Sequence, residues 1–165
     1  MAARGFGQIQ NVGFSETFTP TQSAASVKIA VAVANEKGWL LRYLVVKQAF
    51  FQAHLDKVVY VRLPAGYGDM SGEVVLLQRV VYGLRQAGRQ WSLRLSRVLL
   101  QKTGMEQSKT NPCVFRKVVD GEVTLIVCVY VDNLAVTTED KETFDAFYAQ
   151  LKEEFPVNDI GDRAV

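Results

Sequence analysis

The sequence predicts an α+β fold in which an antiparallel sheet packs on helices. Two observations carry this prediction. The spacing of apolar residues switches repeatedly between the helical and the strand period, and Asp120-Gly121 is the dipeptide that a tight β-hairpin turn favours. The 165 residues, 48% of them hydrophobic and 22% charged, have the composition of a globular protein. We therefore expect a single unit, residues 1–165, with a core of its own.

The first predicted elements are a helix and three strands. Ser23 is a suitable helix cap, an alanine-rich run supplies the body, and Gly38 stands where a left-handed residue is favoured at a helix C-terminus. Nearly continuous apolar runs then predict strands over residues 39–46, 58–63 and 74–79.

A second helix is predicted over residues 86–102. Four apolar residues share one face of it: Trp91, Leu95, Val98 and Leu99. Leu93 and Leu100 lie on the far side of the same helix. We therefore expect this helix to contact protein on two sides.

The last third of the chain predicts a β-meander followed by a helix. Strand-like runs over residues 112–119 and 123–130 flank the Asp-Gly turn, and a second sharp turn is expected at residues 131–133. An acidic amphipathic helix is predicted over residues 138–155, because its apolar residues recur at helical spacing. The residues expected to face inward are Phe144, Phe147, Tyr148, Leu151 and Phe155.

The charges are segregated along the chain. Residues 1–119 carry 16 Lys or Arg against 6 Asp or Glu, whereas residues 120–165 carry 3 against 11. Segment 79–102 holds six basic residues and no acidic one, which suggests a surface for a polyanion. The alternative is a set of solvated helix faces that attract the acidic part of the same molecule, and the sequence alone leaves both open.

The cysteines and the histidine do not form a standard zinc-binding pattern. Cys113 and Cys128 lie in apolar runs, which favour buried reduced thiols, and His54 is not at zinc-ligand spacing from either. The longest uninterrupted apolar run, residues 125–131, is too short to cross a bilayer, and the first residues lack the apolar core of a signal peptide. We expect an intracellular protein, cytoplasmic or nuclear, with no membrane association.

Two short strings are candidates for a functional site: L-V-V-K-Q-A-F-F at residues 44–51 and V-Y-V-D-N at residues 129–133. Taken alone, neither string is specific. Asp-Asn is common in turns, and Phe50 and Phe51 suit a hydrophobic core equally well.

Eight strings, in order and with matching spacing over nearly the whole chain, resemble the reverse transcriptase domain of copia-type retrotransposons. A-R-G-F-G-Q (3–8), E-T-F-T-P (16–20) and L-V-V-K-Q-A-F (44–50) are similar to the family's A-K-G-F-x-Q, E-T-F-S-P and L-D-V-K-N-A-F. V-Y-V-R-L-P-A-G-Y (59–67) and Y-G-L-R-Q-A-G-R-Q-W (82–91) are similar to V-Y-M-x-Q-P-x-G-F and Y-G-L-K-Q-A-P-R-A-W. N-P-C-V-F (111–115), Y-V-D-N (130–133) and N-D-I-G-D (158–162) are similar to D-P-C-V-F, Y-V-D-D and K-D-L-G-E.

The resemblance implies a polymerase palm-like antiparallel sheet packed on helices, with part of the fingers. In this family the palm presents three aspartates to two Mg²⁺ ions, one in L-D-V-K and two in Y-V-D-D. One metal lowers the pKa of the primer hydroxyl and the other holds the incoming triphosphate. The implied partners are an RNA or DNA template and its primer.

Two of the three metal positions differ from the family. Val45 stands at the first aspartate and Asn133 at the third, so Asp132 is the single carboxylate left to bind metal. Magnesium prefers anionic oxygen ligands, and the charge of the site falls from three negative charges to one. We expect a degenerate copy that does not bind Mg²⁺ productively and has lost polymerase activity.

Further positions are carried over from the family. Phe50 matches the aromatic residue that lies against the sugar of the incoming nucleotide, and Lys47 and Gln48 are polar residues that could contact phosphate. The alternatives are core packing for Phe50 and a solvated loop for the other two. The residues expected to bind nucleic acid are Arg85, Arg89, Arg94 and Arg97.

The resemblance describes only part of a reverse transcriptase. We expect a fingers remnant and a palm, with no first finger strands, no thumb and no RNase H domain. Two other interpretations stay open: a non-catalytic nucleic-acid-binding or protein-interaction module recruited from a retroelement, and an unselected relic with no role.

Overall fold

The computed structural model describes residues 3–161. Residues 1–2 and 162–165, which include the ends of the predicted unit and Asp162 of the N-D-I-G-D string, lie outside the described residues. The chain divides into two compact units, each formed from two segments. The first unit comprises residues 1–19 and 49–94, and the second comprises residues 20–48 and 95–165.

Residues 3–161 form a mixed α/β structure with three α-helices and eight strands. The helices are α1 (Ala24–Lys37), α2 (Ala87–Gln101) and α3 (Lys141–Glu154). The strands are β1 (Leu40–Val46), β2 (Tyr60–Arg62), β3 (Val74–Leu76), β4 (Glu106–Gln107), β5 (Val114–Val119), β6 (Glu122–Tyr130), β7 (Asn133–Thr138) and β8 (Val157–Asp159).

A six-stranded antiparallel sheet is the centre of the second unit. Its strand order is β4-β5-β6-β7-β1-β8. The hairpin between β5 and β6 turns at Asp120 and Gly121, whose φ angles are 51° and 85°, as the Asp-Gly pair predicts. A second two-residue turn at Val131 and Asp132 joins β6 to β7. The predicted antiparallel meander is confirmed.

Helices α1 and α3 lie on opposite faces of this sheet. Cys128 and Arg42 point to opposite faces, because their partners on β7 are consecutive residues. The Cys128 thiol lies 4.0 Å from the backbone oxygen of Ser26 in α1. The Arg42 guanidinium lies 5.6 Å from the ring centre of Phe144 in α3.

The ends of α1 are those that the sequence predicts. The Ser23 hydroxyl accepts the N–H of Ala25 at 3.3 Å, and Gly38 follows the helix with a φ of 66°. The buried residues of α1 are Ala30 and Ala34. The fully buried side chains of α1 are therefore small, and Val27, Val31 and Val33 are half-buried beside them.

Helix α3 is shorter than predicted at its start. It begins at Lys141, after an Asp140 cap whose carboxylate accepts the Thr143 N–H at 2.7 Å. Thr138 instead ends β7, and its hydroxyl donates to the backbone oxygen of Thr124 at 3.2 Å. Of the five predicted core residues of this segment, Tyr148 is half-buried and the other four are buried: Phe144, Phe147, Leu151 and Phe155.

Helix α2 has one buried face. Its four predicted core residues, Trp91, Leu95, Val98 and Leu99, are 2% exposed or less. Leu93 and Leu100 are 48% and 38% exposed, so the prediction that α2 contacts protein on two sides was wrong. Singly exposed leucines are ordinary on protein surfaces, and a face with two of them does not require a partner.

The first unit contains a separate two-stranded antiparallel sheet of β2 and β3. Its N-terminal segment packs against residues 82–85. The Ala3 N–H donates to the Tyr82 carbonyl at 2.7 Å, and the Gly5 N–H donates to the Gly83 carbonyl at 3.1 Å. A Cβ atom on Gly83 would lie 2.1 Å from the backbone oxygen of Ala3. The close approach of the two segments therefore requires glycine.

Both cysteines are free and buried, as predicted. Burial raises the pKa of the Cys113 thiol and raises that of Cys128 to about 11. Within residues 3–161, none of the helices is long and apolar enough to span a membrane.

Candidate active site

Strand pairing brings the three predicted metal positions together in the second unit. Val45 on β1 is the direct partner of Asn133 on β7. The Val46 N–H donates to the Asp132 carbonyl at 2.8 Å at the end of the same strand pair. Directly opposed residues in an antiparallel pair have Cβ atoms about 4.5–5.5 Å apart on one face of the sheet. Side chains at positions 45 and 133 are therefore within reach of the same small ligand.

The donor atoms at this point do not fit a two-magnesium site. Val45 has no ligand atom, and the Asn133 side-chain amide donates to a carboxylate oxygen of Asp132 at 3.1 Å. Two metal ions need several anionic oxygens, and Asp132 supplies the one carboxylate at the three positions. Within residues 3–161, no group of three His, Cys, Asp or Glu side chains is placed to hold a metal ion.

Strand β8, which the sequence did not predict, pairs with the edge of β1 that is opposite β7. Asn158 pairs with Val45 and Asp159 pairs with Leu44. Consecutive strand residues point to opposite faces, so the Asp159 side chain is on the face away from Val45. Its carboxylate lies 3.8 Å from the Arg42 guanidinium. Asp159 therefore does not replace either missing aspartate.

The turn that carries Asp132 has an unfavourable backbone conformation. Val131 has a φ of 55°, in a region that β-branched residues rarely adopt. Residues held there cost about 1–3 kcal/mol each and persist only where the surrounding structure imposes them. Here the paired strands β6 and β7 impose the conformation on both sides of the turn.

Lys47 and Gln48 directly follow β1, and both are exposed. The Lys47 N–H donates to the Pro156 carbonyl at 2.8 Å, which fixes the backbone here, and Gln48 has a φ of 51°. Their side chains are accessible to a phosphate. The same exposure suits a solvated loop, so their assignment as nucleotide-binding residues stays a prediction.

Phe50 lies in the first unit, in the short 3₁₀-helix Ala49–Gln52. It is half-buried, and its ring centre is 4.7 Å from that of Tyr82. Phe51 contacts the same tyrosine at 5.9 Å. The three rings form one aromatic cluster, which gives Phe50 a packing role besides its predicted place against a nucleotide sugar.

Arg85 is held by the N-terminal segment of the first unit. Its guanidinium donates to the carbonyls of Gly5 at 3.0 Å and Phe6 at 3.2 Å, and it lies 5.6 Å from the ring centre of Phe14. Its backbone N–H donates to the side-chain oxygen of Gln8 at 2.9 Å. Arg85 therefore has several protein partners, which a nucleic-acid phosphate would have to displace or share.

The other three predicted arginines differ in their surroundings. Arg89 pairs with Glu16 at 2.6 Å and also donates to the Phe18 carbonyl at 3.4 Å. Arg94 is half-buried. The Arg97 side chain is exposed and has no hydrogen bond or ion pair with any residue that the structure describes. Of the four, Arg97 needs the least rearrangement to contact a phosphate.

A buried glutamine was missed by the sequence analysis. Gln86 is fully buried; it donates to the Gly13 carbonyl at 2.9 Å and accepts a hydrogen bond from Gln8 at 3.1 Å. Gln8 and Gln86 belong to the strings A-R-G-F-G-Q and Y-G-L-R-Q, whose contact explains why both strings contain glutamine and glycine. Neither string alone indicates that it contacts the other. The sequence signal for a buried Gln86 was that both strings occur in the same chain.

The family model described as "Reverse transcriptase (RNA-dependent DNA polymerase)" matches residues 1–165. No solved structure gives a significant match.

Several curated relatives are Pol polyproteins of transposons. The chain is 32% identical to the "Retrovirus-related Pol polyprotein from transposon RE2" of Arabidopsis thaliana over 98% of its own length and 11% of the relative's. It is 31% identical to the corresponding RE1 protein over 96% of the chain and 11% of the relative. It is 27% identical to the TNT 1-94 protein of Nicotiana tabacum over 98% of the chain and 12% of the relative. The chain thus spans about a tenth of the length of these relatives.

Proposed function

Because the chain belongs to the reverse transcriptase (RNA-dependent DNA polymerase) family, in its copia-type branch, we propose that residues 1–165 form a single partial reverse transcriptase domain of a Pol polyprotein. In this proposal the antiparallel sheet with β1, β6 and β7 is the palm, and the region around β2 and β3 is a part of the fingers. The partners are an RNA or DNA template and its primer, and the location is intracellular.

We further propose that this copy does not polymerise DNA. One observation carries the proposal: Val45 and Asn133 are cross-strand partners beside Asp132, so the position that should hold three carboxylates holds one. When bound in this family, magnesium activates the primer hydroxyl and stabilises the charge of the transferred phosphoryl group. Asn133 instead donates a hydrogen bond to the remaining carboxylate. Mg²⁺ is therefore not held productively.

A primer-extension assay tests this proposal. Purified protein is incubated with an RNA template, a DNA primer and either Mg²⁺ or Mn²⁺, beside an active copia-type reverse transcriptase as a positive control. We expect no template-dependent extension by this chain. Extension that Asp132→Ala abolishes would show that one carboxylate suffices and would overturn the proposal.

Nucleic-acid binding without catalysis is the second candidate function. It is favoured by Arg97, which is exposed and has no ion-pair partner among the described residues, and by the absence of acidic residues from segment 79–102 of the sequence. A protein-interaction role through the acidic helix α3 is the alternative if no nucleic acid binds.

A further inference from the structure

Among the residues that the structure describes, strand β2 has one edge with no partner strand. The Val59 carbonyl accepts the N–H of Leu77 at 2.9 Å, and the Leu63 N–H donates to the Glu73 carbonyl at 2.8 Å. In this register every second residue of β2 directs its backbone hydrogen bonds to β3. In an antiparallel pair the residues between those points direct their N–H and C=O groups to the other edge. These residues are Tyr60 and Arg62, and no backbone group within residues 3–161 bonds to them on that edge.

A groove of about 680 Å³ in the first unit adjoins β2. It is lined by residues 59–65, by part of the N-terminal segment and by Leu84. Its charged lining residues are Arg4 and Arg62, and no acidic residue is among the described residues that line it. The Arg62 guanidinium also donates to the Gly72 carbonyl at 2.8 Å, which leaves its other N–H groups for a ligand. The groove is therefore electropositive.

The same hairpin exposes a row of apolar side chains. Tyr60 pairs with Leu76 across the two strands, and these residues are 63% and 45% exposed. Val58 and Val74 are 67% and 54% exposed. An open strand edge with exposed apolar side chains can pair with another strand. Proteins therefore normally cover such an edge or place charged residues on it.

We propose that this groove binds an extended acidic peptide of a partner protein, which adds a strand to the open edge of β2. The main chain of the peptide pairs with the backbone of Tyr60 and Arg62, and its carboxylates lie beside Arg4 and Arg62. This interaction is separate from polymerase activity and does not depend on the proposed function.

A peptide fits this groove better than nucleic acid or a second copy of the chain. The outward carbonyls of Tyr60 and Arg62 can accept hydrogen bonds from the N–H groups of a peptide main chain, and a phosphate backbone has no such donors. Pairing of two β2 edges would bring two electropositive grooves together, and like charges at an interface oppose association.

The test uses three probes with ¹⁵N-labelled protein. They are a capped hexapeptide of alternating Glu and Val, the same peptide with Lys for Glu, and an oligothymidine of similar length. We expect the acidic peptide alone to slow hydrogen exchange of the Tyr60 and Arg62 amides. The amides of Val74 and Leu76, on the outer edge of β3, serve as an internal control and should not change.

Charge-reversal variants complete the experiment. Arg4→Glu should weaken binding of the acidic peptide about tenfold, since it reverses a charge that lines the groove. Arg79→Glu, in the same unit but outside the groove, should leave the affinity unchanged; spectra of both variants check that they are folded. The proposal is overturned by absence of acidic-peptide binding, by equal binding of the Lys peptide, by protection on β3 instead of β2, or by oligothymidine protecting the Tyr60 and Arg62 amides.

Discussion

At the scale of single residues, Val45 and Asn133 decide whether the sheet can hold a metal ion. Both positions share a face beside Asp132, so Val45→Asp with Asn133→Asp would place three carboxylates together. Three like charges repel one another. Without metal, we expect the free energy of unfolding of the double variant to be about 1–2 kcal/mol lower than that of the natural chain. Mn²⁺ should relieve that repulsion and restore stability.

The melting temperature with and without Mn²⁺, together with Mn²⁺ electron paramagnetic resonance, measures this prediction. The double variant should bind Mn²⁺ at least about tenfold more tightly than the natural chain. Val45→Asn is the matched control, because it adds a polar group without charge. A double variant whose stability is indifferent to Mn²⁺ would mean that more than the carboxylates has been lost from this site.

The Cys128 thiol should make the folded protein less stable at alkaline pH. Burial raises its pKa to about 11 from an ordinary value of 9.0, so the folded state favours the protonated thiol. The stability from this group is complete below pH 9 and is lost as the pH rises toward 11. Denaturant titrations across that range should show a steeper decline for the natural chain than for Cys128→Ala. Parallel pH profiles would contradict the prediction.

At the scale of elements, the contact between the N-terminal segment and residues 82–85 depends on glycine. Gly83 has a φ of 87°, and an added Cβ would lie 2.1 Å from the Ala3 carbonyl oxygen. Gly83→Ala should therefore lower the free energy of unfolding by at least about 2 kcal/mol. Gly7→Ala is the control, because a Cβ there meets nothing within 4 Å. Chemical denaturation compares the two, and equal effects would show that the contact contributes little.

The elements that the sequence predicts best are those with long periodic patterns or specific turn residues. Helix α1 is framed by Ser23 and Gly38, and the Asp-Gly pair fixes the β5–β6 hairpin. Strands β4 and β8 were missed because Glu106–Gln107 and Val157–Asp159 are short and mostly polar, and they lack the apolar runs that predict β2 and β3. The prediction that α2 contacts protein on two sides was wrong, because helical spacing shows which residues share a face, whereas tertiary packing decides whether a second face is covered.

For the candidate site, the sequence predicts which residues lie close together but does not predict their hydrogen bonds and ion pairs. Resemblance to known motifs, more than periodicity, predicts that Val45 lies beside Asp132, and the strand register confirms it. The ion pair of Arg89 with Glu16 is not encoded in any local pattern, because the two residues lie far apart in the sequence. Such contacts depend on chain segments that the fold brings together.

At the scale of the whole molecule, folding mixes the charges that the sequence separates. The first unit has 7 Lys or Arg against 4 Asp or Glu, and the second unit has 12 against 13. The strong contrast between residues 1–119 and 120–165 therefore does not carry over to the two units. Any binding of nucleic acid depends on local clusters of arginine more than on the overall field.

The Arg89–Glu16 ion pair then predicts how nucleic-acid binding responds to mutation. A phosphate that contacts Arg89 must compete with the Glu16 carboxylate, which lies 2.6 Å from the guanidinium. Glu16→Gln removes the competing charge, so we expect tighter binding of an RNA:DNA duplex and a steeper dependence of affinity on salt. Each additional phosphate contact makes the slope of log affinity against log salt more negative by about 0.9.

Fluorescence anisotropy over a series of salt concentrations measures both effects. The natural chain should bind weakly, with a slope of about −1 to −2, because Arg85 and Arg89 are engaged by the protein. Glu73→Gln, which removes an exposed carboxylate elsewhere in the first unit, should raise affinity less than Glu16→Gln. Replacing Arg85, Arg89, Arg94 and Arg97 by Gln should flatten the slope. If that replacement leaves the affinity unchanged, or if nothing binds at low salt, a protein-interaction module or a relic becomes the better interpretation.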